Sequence, residues 1–249
     1  PAGTYTLTVK EFSNSGLSST KTFLLTVTTP ANTCAPVSFR TPLTFPVGES
    51  PYDVAIADFN GDARQDLVAV NQWSSNVTLL QGNSSGTFST TGTAAVGQIP
   101  FWGVTGDFNN DGKADVIVSN NQTSSLSVLL GDGTGHLGAA TNIPVGWRYP
   151  GALAVGDFNS DGKQDFAMDE GQGISIFLGN GAGGFSIAGS FPAGFAPGSL
   201  AIGDFNEDEK PDVVTVDENA HTAYILLGDG AGHLGSATGF PTLNTAAAV

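Results

Sequence analysis

Along the chain, apolar residues gather into short runs broken by acidic or glycine-rich segments. They never recur at the i, i+3, i+4, i+7 spacing of an amphipathic helix. Val54–Ala57 is one such run, and an acidic loop follows it. A second run goes from Asp66 to Val70, a third spans Val77–Leu80 and ends in a glycine-rich turn, and a fourth covers Phe88–Val96. This succession predicts four strands, A to D, joined by tight connections. No apolar run approaches the ~20 residues of a membrane-crossing helix.

The pattern then repeats. AIADFNGDARQDLVAV from Ala55, VTGDFNNDGKADVIVS from Val104, AVGDFNSDGKQDFAMD from Ala154 and AIGDFNEDEKPDVVTV from Ala201 align without gaps. Their first aspartates, Asp58, Asp107, Asp157 and Asp204, are 49, 50 and 47 residues apart, and each has a proline seven residues before it (Pro51, Pro100, Pro150, Pro197). LLQGNSSGTF, LLGDGTGHL, FLGNGAGGF and LLGDGAGHL follow as the turns between strands C and D, where glycine supplies positive φ. A period near 50 with several strands per unit is the size of a β-propeller blade. The expected fold is all-β: a partial propeller of four four-stranded antiparallel blades, at about 37–96, 97–145, 146–193 and 194–243.

Residues 1–28 follow another rule. Tyr5, Leu7 and Val9, then Phe23, Leu25 and Val27, alternate along two strands. A lone hairpin is marginal in water, so this segment reads as the end of a truncated β-sandwich. Residues 29–36 read as a linker and 37–249 as the propeller. Residues 37–48 and 233–243 both align with strand D, which gives four blades one strand too many to close into a ring. An open array that continues beyond Val249 is therefore expected.

Charge narrows the partners. Twenty-three acidic residues against eight basic ones give a formal net charge of −15, which leaves little to neutralise a nucleic-acid backbone. The single cysteine, Cys34, allows no internal disulfide. The chain opens at Pro1 with no methionine or signal-peptide pattern, and it reads as a fragment of a secreted protein.

The acidic residues are not scattered. Each loop reads D-x-N-x-D-x-x-x-D, with oxygen-bearing side chains at positions 1, 3, 5 and 9. Oxygen-only donors in a flexible loop suit a hard cation of the Ca²⁺ type, whereas zinc would want histidine or cysteine. An EF-hand loop needs a glutamate at position 12, where Ala69, Val118, Met168 and Thr215 stand. Three carboxylates about 5 Å apart repel by roughly 3 kcal/mol per pair at an effective dielectric of ~20. Four such loops use 12 of the 23 acidic residues, and four Ca²⁺ would bring the charge from −15 to −7. The rival reading is a set of solvated Asx-turns. Position 6 is Gly112 and Gly162 in the middle loops but Ala63 and Glu209 in the outer two, which are expected to be weaker or distorted sites.

The unit resembles the FG-GAP and VCBS repeats of integrin α propellers and bacterial surface proteins, over about residues 37–243. The resemblance implies up to four Ca²⁺. Their side-chain ligands would be Asp58, Asn60, Asp62 and Asp66; Asp107, Asn109, Asp111 and Asp115; Asp157, Asn159, Asp161 and Asp165; and Asp204, Asn206, Asp208 and Asp212. It adds the position 7 carbonyls of Arg64, Lys113, Lys163 and Lys210. Residues 1–28 resemble the last hairpin of an immunoglobulin-like domain.

No catalytic constellation stands out. His136 and His233 are repeat-equivalent turn residues, and His221 has no evident partner. Asp169 and Glu170 form an unrepeated carboxylate pair, adjacent in what reads as an exposed turn, where the two would point apart. The expected function is an extracellular, calcium-binding, non-catalytic module for adhesion or ligand binding. Its partners would be a glycan or a cell-surface or extracellular protein, along with further blades or domains of the parent chain, with no membrane insertion. The alternative is an accessory propeller of a secreted polysaccharide-degrading enzyme. If each blade is an A-B-C-D meander, the acidic loops share one face and the aromatics Trp73, Trp102, Trp147 and Tyr149 the other, together with Tyr52, Phe101, Arg148 and Phe195. These side chains either line a ligand site or pack between blades.

Overall fold

The computed structural model describes residues 3–12, 18–27, 42–146, 149–194, 197–217 and 219–242. Every element among them is a strand. The chain divides into two compact units, Pro1–Leu43 and Thr44–Val249. In the first, β1 (Gly3–Phe12) pairs antiparallel with β2 (Ser18–Val27), and the register sets Tyr5 opposite Leu25 and Leu7 opposite Phe23. The expected linker, residues 29–36, lies outside the described residues.

The second unit holds four sheets, each an antiparallel meander in sequence order. The first is β3 (Pro51–Ala57), β4 (Asp66–Asn71), β5 (Asn76–Gly82) and β6 (Phe88–Ala95). The second is β7 (Pro100–Gly106), β8 (Asp115–Asn120), β9 (Ser125–Leu129) and β10 (Thr141–Pro144). The third is β11 (Leu153–Gly156), β12 (Asp165–Asp169), β13 (Gly173–Gly179) and β14 (Phe185–Pro192). The fourth is β15 (Pro197–Gly203), β16 (Asp212–Asp217), β17 (Thr222–Leu226) and β18 (Thr238–Pro241). The strands fall where the apolar runs place them. Residues 42–48 are an exception: they form no strand, and the rest of the expected strand, residues 37–41, lies outside the described residues. They are held instead by the Thr90 hydroxyl, which donates to the Pro46 carbonyl at 3.0 Å, and by Phe45 edge-on to Phe88.

The core lies between sheets, not within them. Side chains of a strand alternate between its two faces. On β8, Val116 and Val118 therefore point back to Val68 and Val70 of the first blade, while Ile117 points forward to Phe166 and Met168 of the third. On β12, Ala167 points forward to Val213 of the fourth. Covering on both faces explains why strand B reads as a near-continuous apolar run. Strand D, on the outside, stays largely exposed, as along β6.

Inner strands of successive sheets lie side by side, β3 by β7, β7 by β11 and β11 by β15, and no comparable contact brings β15 back to β3. The two end faces are correspondingly open. Val54 and Ile56 on β3 are 52% and 53% exposed, whereas Leu153, which matches Val54 in the third blade, is buried. At the other end, Phe205 is 48% exposed, although its counterparts Phe59, Phe108 and Phe158 are buried.

Candidate metal centres

Each acidic loop joins strand A to strand B, and a shared hydrogen-bond pattern builds all four. The position 1 carboxylate accepts the backbone N–H groups of positions 5 and 6, at 2.7–3.2 Å in every loop. The position 3 amide oxygen accepts the position 5 N–H at 3.0–3.1 Å. The position 5 carboxylate accepts the position 7 N–H at 2.9–3.1 Å. These nested Asx-turns curl the backbone through two left-handed residues per loop, at positions 4 and 6. Gly112 and Gly162 take the second at no steric cost, while Ala63 and Glu209 adopt φ of 62° and 64° there. The outer loops thus keep the shape of the middle ones despite the missing glycine.

Position 9 is different. Asp66, Asp115, Asp165 and Asp212 open strand B and are buried. In each, one carboxylate oxygen accepts the position 2 N–H at 2.8–3.0 Å. The other accepts the N–H of the glycine that opens the C–D turn, at 2.7–2.8 Å. The turn comes so close that a Cβ on Gly131 would sit 2.1 Å from the Ala114 carbonyl oxygen. Position 9 therefore lies beneath the loop, and among the described residues no three His, Cys, Asp or Glu side chains form a metal-holding group.

The position 7 side chains were not singled out from sequence, where only their carbonyls figured. Arg64, Lys113, Lys163 and Lys210 pair with Asp62, Asp111, Asp161 and Asp208 at 2.8–3.3 Å. Their recurrence two residues after the position 5 aspartate was the available signal. At Asp161, the hydrogen bond from the Lys163 side chain leads in holding the carboxyl below its usual range. At Asp62, Asp111 and Asp208 desolvation works upward, but hydrogen bonds from positions 7 and 3 outweigh it. Burial pushes the Asp115 and Asp165 carboxyls up, and the charges of positions 5 and 1 push the same way.

The residues fit a hard cation by donor chemistry. Every side-chain donor is oxygen, and each carboxylate oxygen that accepts one N–H keeps further acceptor capacity. In the second and third loops the charges of positions 1 and 5 push on the position 9 carboxyl, which marks the three as one electrostatic site there. Three aspartates against one basic residue leave each of the first three loops with a charge that a divalent ion would balance.

On the opposite face, the B–C turns meet the D–A connections. The Trp73 N–H donates to the Glu49 carbonyl at 3.2 Å, and the Gln72 N–H to Ser50 at 3.0 Å. Trp73 is 73% exposed and Tyr149 63%. Tyr149 also adopts a φ of 80°, costly for a bulky residue. Trp102 packs on the core between the second and third blades and lies edge-on to Tyr52, 5.8 Å between centroids, so its role is packing. Tyr52 also meets Phe101 at 4.4 Å. Trp147, Arg148 and Phe195 lie outside the described residues.

Asp169 corrects the picture of an exposed carboxylate pair. It is buried beside Gly151, and a Cβ on Gly151 would come within 2.4 Å of it. The B–C hairpin of this blade is two residues shorter than the others, 14 positions against 16 from the position 9 aspartate to the glycine that opens the C–D turn. Asp169 takes the buried strand-end place that Asn71, Asn120 and Asp217 hold in the other blades. Burial pushes the Asp169 carboxyl up to about 7, with the Glu170 charge adding to the rise and the Gly171 N–H opposing it. Glu170 accepts hydrogen bonds from the hydroxyls of Ser175 and Ser190. The histidine turns are built locally: Asp132 accepts the His136 N–H, and the His233 ring lies 3.2 Å from the Asp229 carboxylate.

Comparison with known proteins agrees with this architecture. Residues 58–118 and 107–168 match the FG-GAP-like repeat. No curated protein matches the sequence significantly. Among solved structures, a Lactobacillus plantarum protein is similar with a TM-score of 0.64 at 14% identity, over 98% of this chain and 67% of that one. An Agrocybe aegerita lectin that recognises non-reducing terminal N-acetylglucosamine is similar at 0.55 and 20%, over 74% and 50%. A Bacteroides fragilis protein named as a candidate 6-phosphogluconolactonase is similar at 0.57 and 16%, over 95% and 65%. The chain spans about half to two-thirds of these proteins, and at such identities the likeness is one of fold. Residues 58–168 carry FG-GAP-like repeats, and they lie within four consecutive four-stranded antiparallel sheets arranged as blades of β-propeller type.

Proposed function

We propose that the chain is a calcium-binding, non-catalytic propeller module of an extracellular protein, with the hairpin at residues 3–27 ending a preceding immunoglobulin-like sandwich. The observation that supports the calcium part is the fourfold recurrence of one oxygen-only loop, with the same nested turns and the same repulsion around position 9 where it is resolved. A bound cation would balance the carboxylates of positions 1 and 5 and take the position 3 amide oxygen as a neutral donor. The position 9 carboxylate ties the loop to the C–D turn, and the position 7 side chain offers the competing charge. Affinities in the extracellular range, about 10⁻⁴–10⁻³ M, suit such a site. Millimolar Ca²⁺ should raise the melting temperature and a chelator should lower it, by mass-action linkage. Asp111→Ala and Asp161→Ala should each remove part of the response. Identical melts in calcium and chelator would sink the reading.

The ligand reading rests on Trp73 and Tyr149, exposed on the face away from the acidic loops. Rigid aromatic faces of this kind stack on sugar rings. Trp73→Ala and Tyr149→Ala should abolish signal on a glycan array while leaving the melting temperature unchanged. Unchanged binding would remove the glycan assignment.

A further inference from the structure

At every joint between blades, the acidic loop of one blade is the seat of the next. The C–D turn of the following blade lies on the loop, and its third glycine donates a backbone N–H to the position 2 phenylalanine carbonyl. These bonds are Gly135 to Phe59 at 3.0 Å, Gly183 to Phe108 at 2.9 Å and Gly232 to Phe158 at 2.9 Å. The phenylalanine rings are buried in the joints, with Phe108 edge-on to Phe185 at 5.6 Å. Gly135 lies against Asn60, and Gly181 against Asn110, so the turn touches the loop beside position 3.

Position 2 is thus held from three sides. Its N–H is bound by the position 9 carboxylate, its carbonyl and ring by the next blade, and its chain neighbours are donors 1 and 3. Fixing the donors fixes the peptide unit between them, and fixing that unit pre-orders the donors. We propose that cation binding in each of the first three loops is coupled to docking of the following blade: loop 58–66 to the second blade, loop 107–115 to the third, and loop 157–165 to the fourth. This rests on the calcium reading above. Coupling between sites is reciprocal, and the usual range begins at about fivefold. Loop 204–212, with Phe205 half exposed, carries no such coupling in this chain.

Amide exchange by NMR on the whole chain tests the idea. Saturating Ca²⁺ should slow exchange at Gly135, Gly183 and Gly232 about fivefold or more. It should leave Gly86 unaltered, since the Gly86 N–H bonds within its own turn to Asn83. In Asp111→Asn, the effect should vanish at Gly183 and persist at Gly135 and Gly232. The reciprocal measurement is a calcium titration followed by shifts of the Gly112 and Glu209 amides. Phe108→Leu should move the Gly112 midpoint to higher calcium, and Phe205→Leu should leave the Glu209 midpoint in place. Calcium-dependent shifts of the loop amides with no selective protection, or equal protection at all four glycines, overturn the coupling and spare the calcium reading. Absence of any calcium-dependent shift overturns both.

Discussion

The backbone amide of Gly183 donates to the carbonyl oxygen of Phe108, 2.9 Å away and 75 positions earlier in the chain, and so joins the third blade to the second. The same phenylalanine ring is buried in the joint, while Phe205 at the matching position is half exposed. Phe108→Ala should therefore cost about 3–5 kcal/mol, as for a buried aromatic truncation. Phe205→Ala should stay within about 0.5 kcal/mol, as for a surface change. Denaturant midpoints of the two variants measure the contrast, and equal losses would contradict the assignment of the joint.

Asp115 holds the Phe108 and Gly131 amides at 2.9 and 2.8 Å in a buried setting. Asp115→Ala leaves both donors unpaired and should cost about 3 kcal/mol or more in chelator, with no metal involved. Asp111→Ala, at an exposed carboxylate, should cost under about 1 kcal/mol in the same buffer. Comparing melts in chelator separates the structural role of position 9 from any role in holding an ion.

Position 6 stores strain in the outer loops. Ala63→Gly and Glu209→Gly remove side chains from left-handed backbone and should each add about 1 kcal/mol. Gly112→Ala and Gly162→Ala should subtract a similar amount. Urea unfolding gives the sign directly, and a stabilising alanine at Gly112 would refute the account.

Asp169 makes stability depend on pH. Its carboxyl titrates near 7 when folded against an ordinary 3.8. The folded chain therefore binds the extra proton between about pH 4 and 7, so this contribution is full below about 4 and lost as pH climbs towards 7. The span is at most roughly 4 kcal/mol. Asp169→Asn, neutral throughout, should gain stability relative to the parent as pH rises through that window. A constant difference between the two proteins would exclude the burial effect.

The sequence by itself determined what depends on neighbours a few residues apart. The repeat, the four strands of each unit and the nested turns of the acidic loops all rest on hydrogen bonds and alternation within one blade. The meander direction also followed, placing the acidic loops and C–D turns together and Trp73 opposite them. Tertiary structure decided what depends on residues some fifty positions away. It decided that Phe59, Phe108 and Phe158 anchor the next blade, that Trp102 packs while Trp73 stays exposed, and that residues 42–48 make no strand. It also decided that Asp169 is buried. The physical reason is that burial and strand pairing require a partner surface: the motif DFN is the same in all four copies, yet Phe108 is buried by the third blade while Phe205, which no described blade covers, is half exposed.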